Sequence, residues 1–397
     1  MRSPFAALPG AVVPEGAQAP AHYGNPLGEQ RRLAQGAAIV HLGDRRVLTL
    51  TGPDRLGWLD SISSQELKSL QPGVSTETLI LDPQGHIEHQ ANLVDDGERL
   101  WLIVDQDDAE PLQAWLTRMR FRMQVEIADV TDEFAVLGWV DRAGGAAGAL
   151  VAGEGAAGDG TAGKGAAAAP RIMWRDPWAS VSPGGYQYAS GAQHPAAAWA
   201  WTEAIVPSAM LTRIAAALAA AGADASPAGT SAAEALRVEA WRPRWSAEVD
   251  EKSLPHESDW LRSAVHLNKG CYRGQETVAK VHNLGRPPRR MVLLHLDGSQ
   301  STLPQPGAAV LRQGTVDDSG APVAGAEVGH VTSAALHYEL GPIALAVIKR
   351  NVPVDETLEV EVDDGRLPAT QEVIVPPDAG ATANVPRLPR IGGRPRR

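Results

Sequence analysis

The stretch Asn268-Lys269-Gly270-Cys271-Tyr272-Arg273-Gly274-Gln275-Glu276-Thr277 holds the only cysteine of the chain, set between two glycines and two cations. Gly270 and Gly274 permit backbone angles closed to other residues, so the segment reads as a tight turn. Behind it, Gln275 to Leu284 reads as a short helix. Val278 and Val281 share one side, Glu276 and Lys280 form an i,i+4 pair, and Gly285 followed by Pro287-Pro288 stops it. Cys271 then sits just before a helix N-terminus, with Lys269 and Arg273 beside it. Positive charge and free helix amides both favour thiolate over thiol, and the thiolate is the nucleophile and the metal ligand. The alternative is a small hydrophobe packed under a turn, the commoner fate of a free cysteine.

A second candidate is a carboxylate. Ser231-Ala232-Ala233-Glu234 reads as a capping box that opens a helix from about Ala232 to Trp241. Ala235, Leu236 and Ala240 form its apolar face, and Glu239 falls on that face. A carboxylate in an apolar stripe needs donors to stay ionised, either from a ligand or from an arginine such as Arg242 or Arg244. Cys271 with His256, His266 and His282 makes a third, weaker candidate. These residues spread over about 27 positions with no recognised metal spacing, so no metal site is expected.

The chain must be able to hold such groups in place, and 397 residues suffice for two or three domains with full cores. A formal net charge of -11 argues against general nucleic-acid or membrane-surface binding. One cysteine excludes an internal disulfide and a four-cysteine zinc or iron–sulfur site, and it fits a reducing, cytoplasmic setting. No apolar run approaches the roughly 18 residues of a membrane span. Residues 1–30 read as a disordered Pro/Ala/Gly-rich leader without signal-peptide regions. Residues 376–397 read as a disordered basic tail carrying Arg387, Arg390, Arg394, Arg396 and Arg397.

Between these ends the pattern is α+β. Strands are expected at Ala38-Leu42 and Val47-Leu50, then a helix after Gly52-Pro53 with Leu56, Leu59 and Ile62 on one face. Antiparallel strands follow at Thr78-Leu81, His86-Val94 and Leu100-Val104, and a helix at about Asp107 to Arg120. Turns fall at Pro83-Gln84-Gly85 and Asp95-Asp96-Gly97. Strands near Met123-Ile127 and Phe134-Val140 complete this unit. Residues 143–170, Ala and Gly without periodicity, read as a disordered insertion. An Ala-rich helix is expected from Ser208 to Ala221. Beyond the cysteine turn, strands at Met291-Leu296, Val328-Ser333, Ile343-Ile348 and Leu358-Val362 suggest a small barrel or sandwich.

Lys269-Gly270-Cys271-Tyr272-x-Gly274-Gln275-Glu276 resembles the signature of the YgfZ family, folate-binding relatives of the glycine-cleavage aminomethyltransferases that support iron–sulfur proteins. The run from Leu48 to Leu59, Gly329 to Ser333 and Gly341 to Ala346 are also similar, so the resemblance covers about residues 30 to 375. Arg237-Val238-Glu239-Ala240 is similar to the aminomethyltransferase segment whose glutamate holds the pterin ring, which offers two parallel N–H donors. The resemblance implies an aminomethyltransferase (GcvT)-like fold: two α+β lobes plus a C-terminal β-barrel around a central folate cavity. The implied bounds are a discontinuous lobe at 31–76 and 135–250, an inserted lobe at 77–134, a linker with the cysteine motif at 251–289, and a barrel at 290–375. It also implies a functional set of Cys271, Lys269, Tyr272, Gln275 and Glu276, and a folate-binding set of Glu239, Arg237, Glu88 and Asp105. The cofactor is then tetrahydrofolate or another reduced folate. The partners are iron–sulfur client proteins and not nucleic acid, and the protein acts as a monomer. A folate-dependent aminomethyltransferase is the other function the resemblance allows. Against it, Glu88-His89 stands where transferases carry Asp-Asp, Asp105 stands where an Asn is expected, and transferases lack the Lys-Gly-Cys signature.

Overall fold

The computed structural model describes residues 3–153, 172–189, 194–300, 302–316, 322–323, 325–363 and 365–383. The chain opens with one 3-10 turn, Pro4–Ala7, whose Phe5 is fully buried beside the His41 ring. A lone bridge joins Val12 to His22, and the Asn25 side chain caps α1 (Pro26–Ala34) by accepting from the Gly28 amide. Residues 3–30 are therefore ordered, not the disordered leader expected. Phe5 and Leu8 reach the main core, and an average over composition hid them.

There follow β1 (Ala38–His41), β2 (Arg45–Thr51), α2 (Arg55–Ile62), β3 (Ser75–Leu81), β4 (Ile87–Asp95), β5 (Arg99–Asp105), α3 (Gln106–Met119), β6 (Glu126–Asp129) and β7 (Phe134–Val140). These lie close to the expected elements, because alternating β-branched and aromatic runs are broken by good turn residues. The lobe boundary differs. β2 pairs with β5 along its whole length, from Arg45↔Asp105 to Thr51↔Arg99. The second lobe's sheet is thus β3-β4-β5-β2-β6, and it begins at β2, not at residue 77.

α4 (Ala146–Ala152) buries Ala147 and Val151, so the first part of the 143–170 segment is a packed helix and not a disordered insertion. Residues 154–171 lie outside the described residues. β8 (Ile172–Arg175), β9 (Trp201–Pro207), α5 (Ser208–Ala219) and β10 (Ser226–Ala228) complete the first lobe, with sheet order β10-β1-β7-β9-β8. α6 (Thr230–Glu239) starts without the expected capping box: Gly229 is its N-cap, and Glu234 turns instead to Arg237 at 2.5 Å. After α7 (Trp245–Glu248), residues 253–265 are buried without a break, with Trp260 and Leu261 in the main core. The stretch expected as a linker is thus core, since its apolar side chains find cover and its charged ones find partners.

α8 (Gln275–Asn283) leads into β11 (Arg289–Leu296), β12 (Ala309–Arg312), β13 (Thr315–Val316), β14 (Pro322–Val323), β15 (Glu327–His337), β16 (Gly341–Lys349), β17 (Leu358–Val362) and β18 (Gly365–Val373). Six of these close a barrel in the order β11-β16-β15-β12-β17-β18. Alternation along β11 serves two cores: Val292, Leu294 and Leu296 fill the barrel, while Met291 and Leu293 join the main core shared with both lobes. Beyond the barrel, Ala379 is buried and the Thr382 and Ala383 amides donate to carbonyls of α8. Residues 376–383 are therefore ordered, against expectation, and the arginines from Arg387 on lie outside the described residues. Among the described residues, no helix is long and apolar enough to cross a membrane.

Candidate functional site

Between the two lobes lies a narrow, partly open cleft. β9 supplies its floor. Trp201 and Glu203, two apart on a strand, share one face, and Trp201 Nε1 donates to Glu203 Oε1 at 3.1 Å. Glu203 is 1 % exposed. Its other oxygen has only a long bond, 3.4 Å, from Asn92 Nδ2, and Arg45 Nη2 stands 3.7 Å from the carboxylate. Burial pushes the Glu203 pKa up, and the Arg45 charge and the Trp201 bond oppose this without reversing it. Four tryptophans line the cleft, Trp174, Trp199, Trp201 and Trp260, and the rings of Trp199 and Trp201 stack at 5.3 Å.

The rest of the wall sets arginines against carboxylates. Arg242 lies within 6 Å of the Trp178 and Trp260 rings and donates to Asp176 at 2.9 Å and Glu77 at 2.8 Å. Its Nη1 and Glu77 Oε1 are buried and, among the described residues, have no hydrogen-bond partner. Arg45 and Arg244 converge on Asp105, which also accepts from the Ser246 amide at 2.9 Å. Burial would raise the Asp105 pKa, but these two arginines and their hydrogen bonds hold it well below the usual carboxylate range. Arg237 lines the cleft between Glu234 and Glu248.

The expected folate-binding set is only partly brought together. Arg237 lines the cleft, and Asp105 stands behind it, anchoring two of its arginines. Glu239 does not line it. Its side chain is 39 % exposed, 3.3 Å from His337 Nε2. Helical geometry gives the reason: residues two apart point about 200° apart, so a helix that turns Arg237 inward turns Glu239 away. Glu88 is excluded by a bulge. Ile80 pairs with His89 and Leu81 with Ile87, which leaves Glu88 as the extra residue, aimed outward to Arg273. His89 turns to Asp108 and the second lobe's core, so β4 presents the amides Gln90 and Asn92 to the cleft. Glu203 was missed. Its signal was a carboxylate in step with Trp201 and Ile205 on an otherwise apolar strand.

The cysteine turn lies apart from the cleft, and none of residues 269–276 lines it. Cys271 is exposed. Lys269 Nζ donates to the carbonyls of Asp60, Ser63 and Gln65 and lies 5.3 Å over the buried Tyr272 ring. Gln275 Nε2 bonds the carbonyls of Lys269 and Gly270 at 3.2 and 3.3 Å. Arg273 pairs with Glu88 and lies over Trp115. The two cations expected to stabilise a thiolate are therefore bound elsewhere, because carbonyls and a carboxylate from the second lobe compete for them. Glu276 is exposed and, among the described residues, makes no ion pair with Lys280. The motif acts as a clamp that presents Cys271 to solvent.

Only one of the two glycines is required there. Gly274 has φ +83, and a Cβ on it would sit 2.6 Å from the Asp82 carbonyl oxygen. Gly270 has no atom within 4 Å of such a Cβ and is not in the left-handed region, contrary to expectation. Gly274→Ala should cost about 1–3 kcal/mol in urea denaturation. Gly270→Ala should stay within about 0.5 kcal/mol of the parent. Equal losses would mean the turn is not built on the Gly274 contact.

His256 donates to or accepts from its own surroundings only, with Nε2 3.0 Å from the Val278 carbonyl, and His282 Nδ1 lies 2.9 Å from Tyr188 Oη. Among the described residues, no group of three or more His, Cys, Asp or Glu is arranged to hold a metal.

Residues 289–376 match the glycine cleavage T-protein C-terminal barrel domain. The chain is 33% identical over 145 residues to the aminomethyltransferase of Rippkaea orientalis, covering 35% of each. It is 34% identical over 161 residues to that of Moorella thermoacetica, covering 40% of each. The matched stretch thus spans well under half the length of these curated relatives. The crystal structure of the glycine cleavage system aminomethyltransferase T from Bartonella henselae superposes with a TM-score of 0.64 at 16% identity, over 91% of this chain and 92% of that one. The fold is the aminomethyltransferase fold, with two mixed lobes and a closed six-stranded barrel.

Proposed function

We propose that the chain binds a reduced folate in the cleft between its lobes and works as a folate-dependent protein of the aminomethyltransferase type. One observation carries this reading: Glu203 is a buried carboxylate facing a tryptophan-lined cleft with one oxygen poorly matched by donors. A pterin ring offers two parallel N–H groups that fit a carboxylate, and a flat bicycle suits indole walls. The orphaned Arg242 Nη1 and Glu77 Oε1 support it, since buried polar atoms without partners mark a missing ligand or water. A bound folate would supply the one-carbon acceptor. The chain's own part is to orient the ring through Glu203, to exclude water with the tryptophans, and to hold anionic groups on Arg237 and Arg244. The curated relatives matched above are aminomethyltransferases, which supports this class. The test is a tetrahydrofolate titration followed by the fluorescence of the 11 tryptophans, with glycine-cleavage activity assayed beside it. Absence of a saturable response would remove the folate reading.

A second reading is favoured by the clamp around Cys271: the chain supports iron–sulfur client proteins, with the Cys271 sulfur either making one bond to a cluster or attacking a partner's persulfide, so that the outer sulfur moves to Cys271 and the partner's thiolate leaves. Because Cys271 is exposed and outside the cleft, Cys271→Ser should leave tetrahydrofolate affinity unchanged. The same variant should abolish rescue of iron–sulfur enzyme activity in a strain lacking the cellular homologue. Full rescue would leave the cysteine without this role.

A further inference from the structure

Among the described residues, those lining the cleft run from Leu42 to Trp260, and none comes from the barrel that was expected to close it. Barrel hydroxyls are nevertheless bonded into its wall of paired arginines and carboxylates. Glu248, at the end of α7, is buried and accepts four hydrogen bonds. Its Oε1 takes Thr332 Oγ1 at 2.9 Å and Ser333 Oγ at 2.6 Å, and its Oε2 takes Arg237 Nη1 at 2.8 Å and the Arg244 amide at 2.7 Å. Ser333 Oγ also accepts from Arg237 Nη2 at 2.5 Å.

Two consecutive strand residues ordinarily point to opposite faces, so they would not reach one carboxylate. The register explains how they do. In the pairing of β15 with β16, Val331 faces Ala346 and Ser333 faces Leu345, which leaves Thr332 as the extra residue of a bulge. Bulges re-aim side chains in this way and cost ladder hydrogen bonds, so one set against a buried carboxylate is a built feature. The bulge is the barrel's grip on the cleft.

We propose that Glu248, Thr332 and Ser333 are positioning residues for ligand binding. The bulge orients Glu248, and Glu248 sets the Arg237 guanidinium and the backbone at Arg244, the two arginines that face an anionic ligand. The barrel is then part of the binding site without touching its contents. The ligand readout rests on the folate reading above; the arginine readout does not.

The test uses the full chain with Thr332→Val and Ser333→Ala together, which removes both hydroxyls at nearly constant volume. The dissociation constant for tetrahydrofolate should rise about tenfold. The Nη–H resonances of Arg237, whose Nη1 donates to Glu248 and Nη2 to Ser333, should lose their protection from solvent exchange. Thr332→Ser, which restores a hydroxyl to the parent position, should keep both parent values when made alone. Glu248→Gln, of the same shape, should reproduce the double variant's losses and serves if that variant does not fold. A fall in melting temperature with unaltered affinity and an unaltered Arg237 signal would overturn the proposal, leaving the hydroxyls as packing. If the parent protein does not bind tetrahydrofolate, the folate reading fails and the Arg237 signal alone decides this one.

Discussion

Glu203→Gln is expected to weaken tetrahydrofolate binding by about 1–3 kcal/mol, the cost of leaving buried ligand donors badly paired. At 1.4 kcal/mol for each factor of ten, that is a rise in dissociation constant of roughly 5- to 150-fold. The carboxamide keeps the shape and keeps an acceptor for Trp201, but it sets an NH2 where a pterin presents a second N–H. Stability should move the other way or not at all. Burial already disfavours the ionised form of Glu203, with Arg45 too distant at 3.7 Å to compensate fully. Replacing such a group with a neutral isostere removes a desolvation cost. Lost affinity with an unchanged or raised melting temperature is therefore the signature of a binding carboxylate. Glu239→Ala is the control, and its affinity should match the parent because its side chain faces solvent and His337. Equal affinity of parent and Glu203→Gln would remove Glu203 from the site.

The second large effect belongs to Asp105. Asp105→Asn leaves Arg45 and Arg244 facing each other without the carboxylate that both bind, in a place where Asp105 itself is 1 % exposed. Breaking such a pair by neutralising one partner costs about 3–5 kcal/mol, and the partial exposure of both arginines places this case near the lower value. Urea denaturation near neutral pH should show it. The pH dependence follows from the depressed pKa of Asp105. A carboxyl whose folded pKa lies below its unfolded value stabilises the fold above the unfolded pKa, near 4, and loses that contribution as pH falls through the folded pKa. The gap between parent and variant should thus be full at neutral pH and narrow in acid below about pH 4. A gap independent of pH would mean the loss comes from shape and not from charge. Freed of Asp105, Arg45 should also turn to Glu203 and compete with the ligand, so affinity should fall as well.

Much of the architecture was legible locally. Period-two runs between Gly- and Pro-bearing turns located β1 to β7 and four strands of the barrel, but not β9, β10, β12 or β18, and one-sided apolar helices located α3, α5 and α8. The cysteine motif was also found where it matters as a turn. Its individual roles were not. Lys269 reads in sequence as a charge beside a thiol, yet it reaches carbonyls more than 200 positions earlier in the chain. The N-terminal segment and residues 253–265 failed for a related reason, since a few buried side chains order a stretch whose composition looks like leader or linker.

What the amino-acid sequence determined by itself is the set of preferences that act over a few residues: which runs extend, which coil, and that a single cysteine stands at a turn before a short helix. Tertiary structure alone decided which carboxylate faces the cleft. Glu203 and Asn92 are 111 positions apart, and Arg242 and Glu77 are 165 apart. One bulge turned Glu88 out of the cleft, and another turned Thr332 and Ser333 onto one carboxylate. Local patterns cannot carry such choices, because a buried charge takes its partner from whatever the packed sheets bring within about 3 Å, and that is set by long-range register.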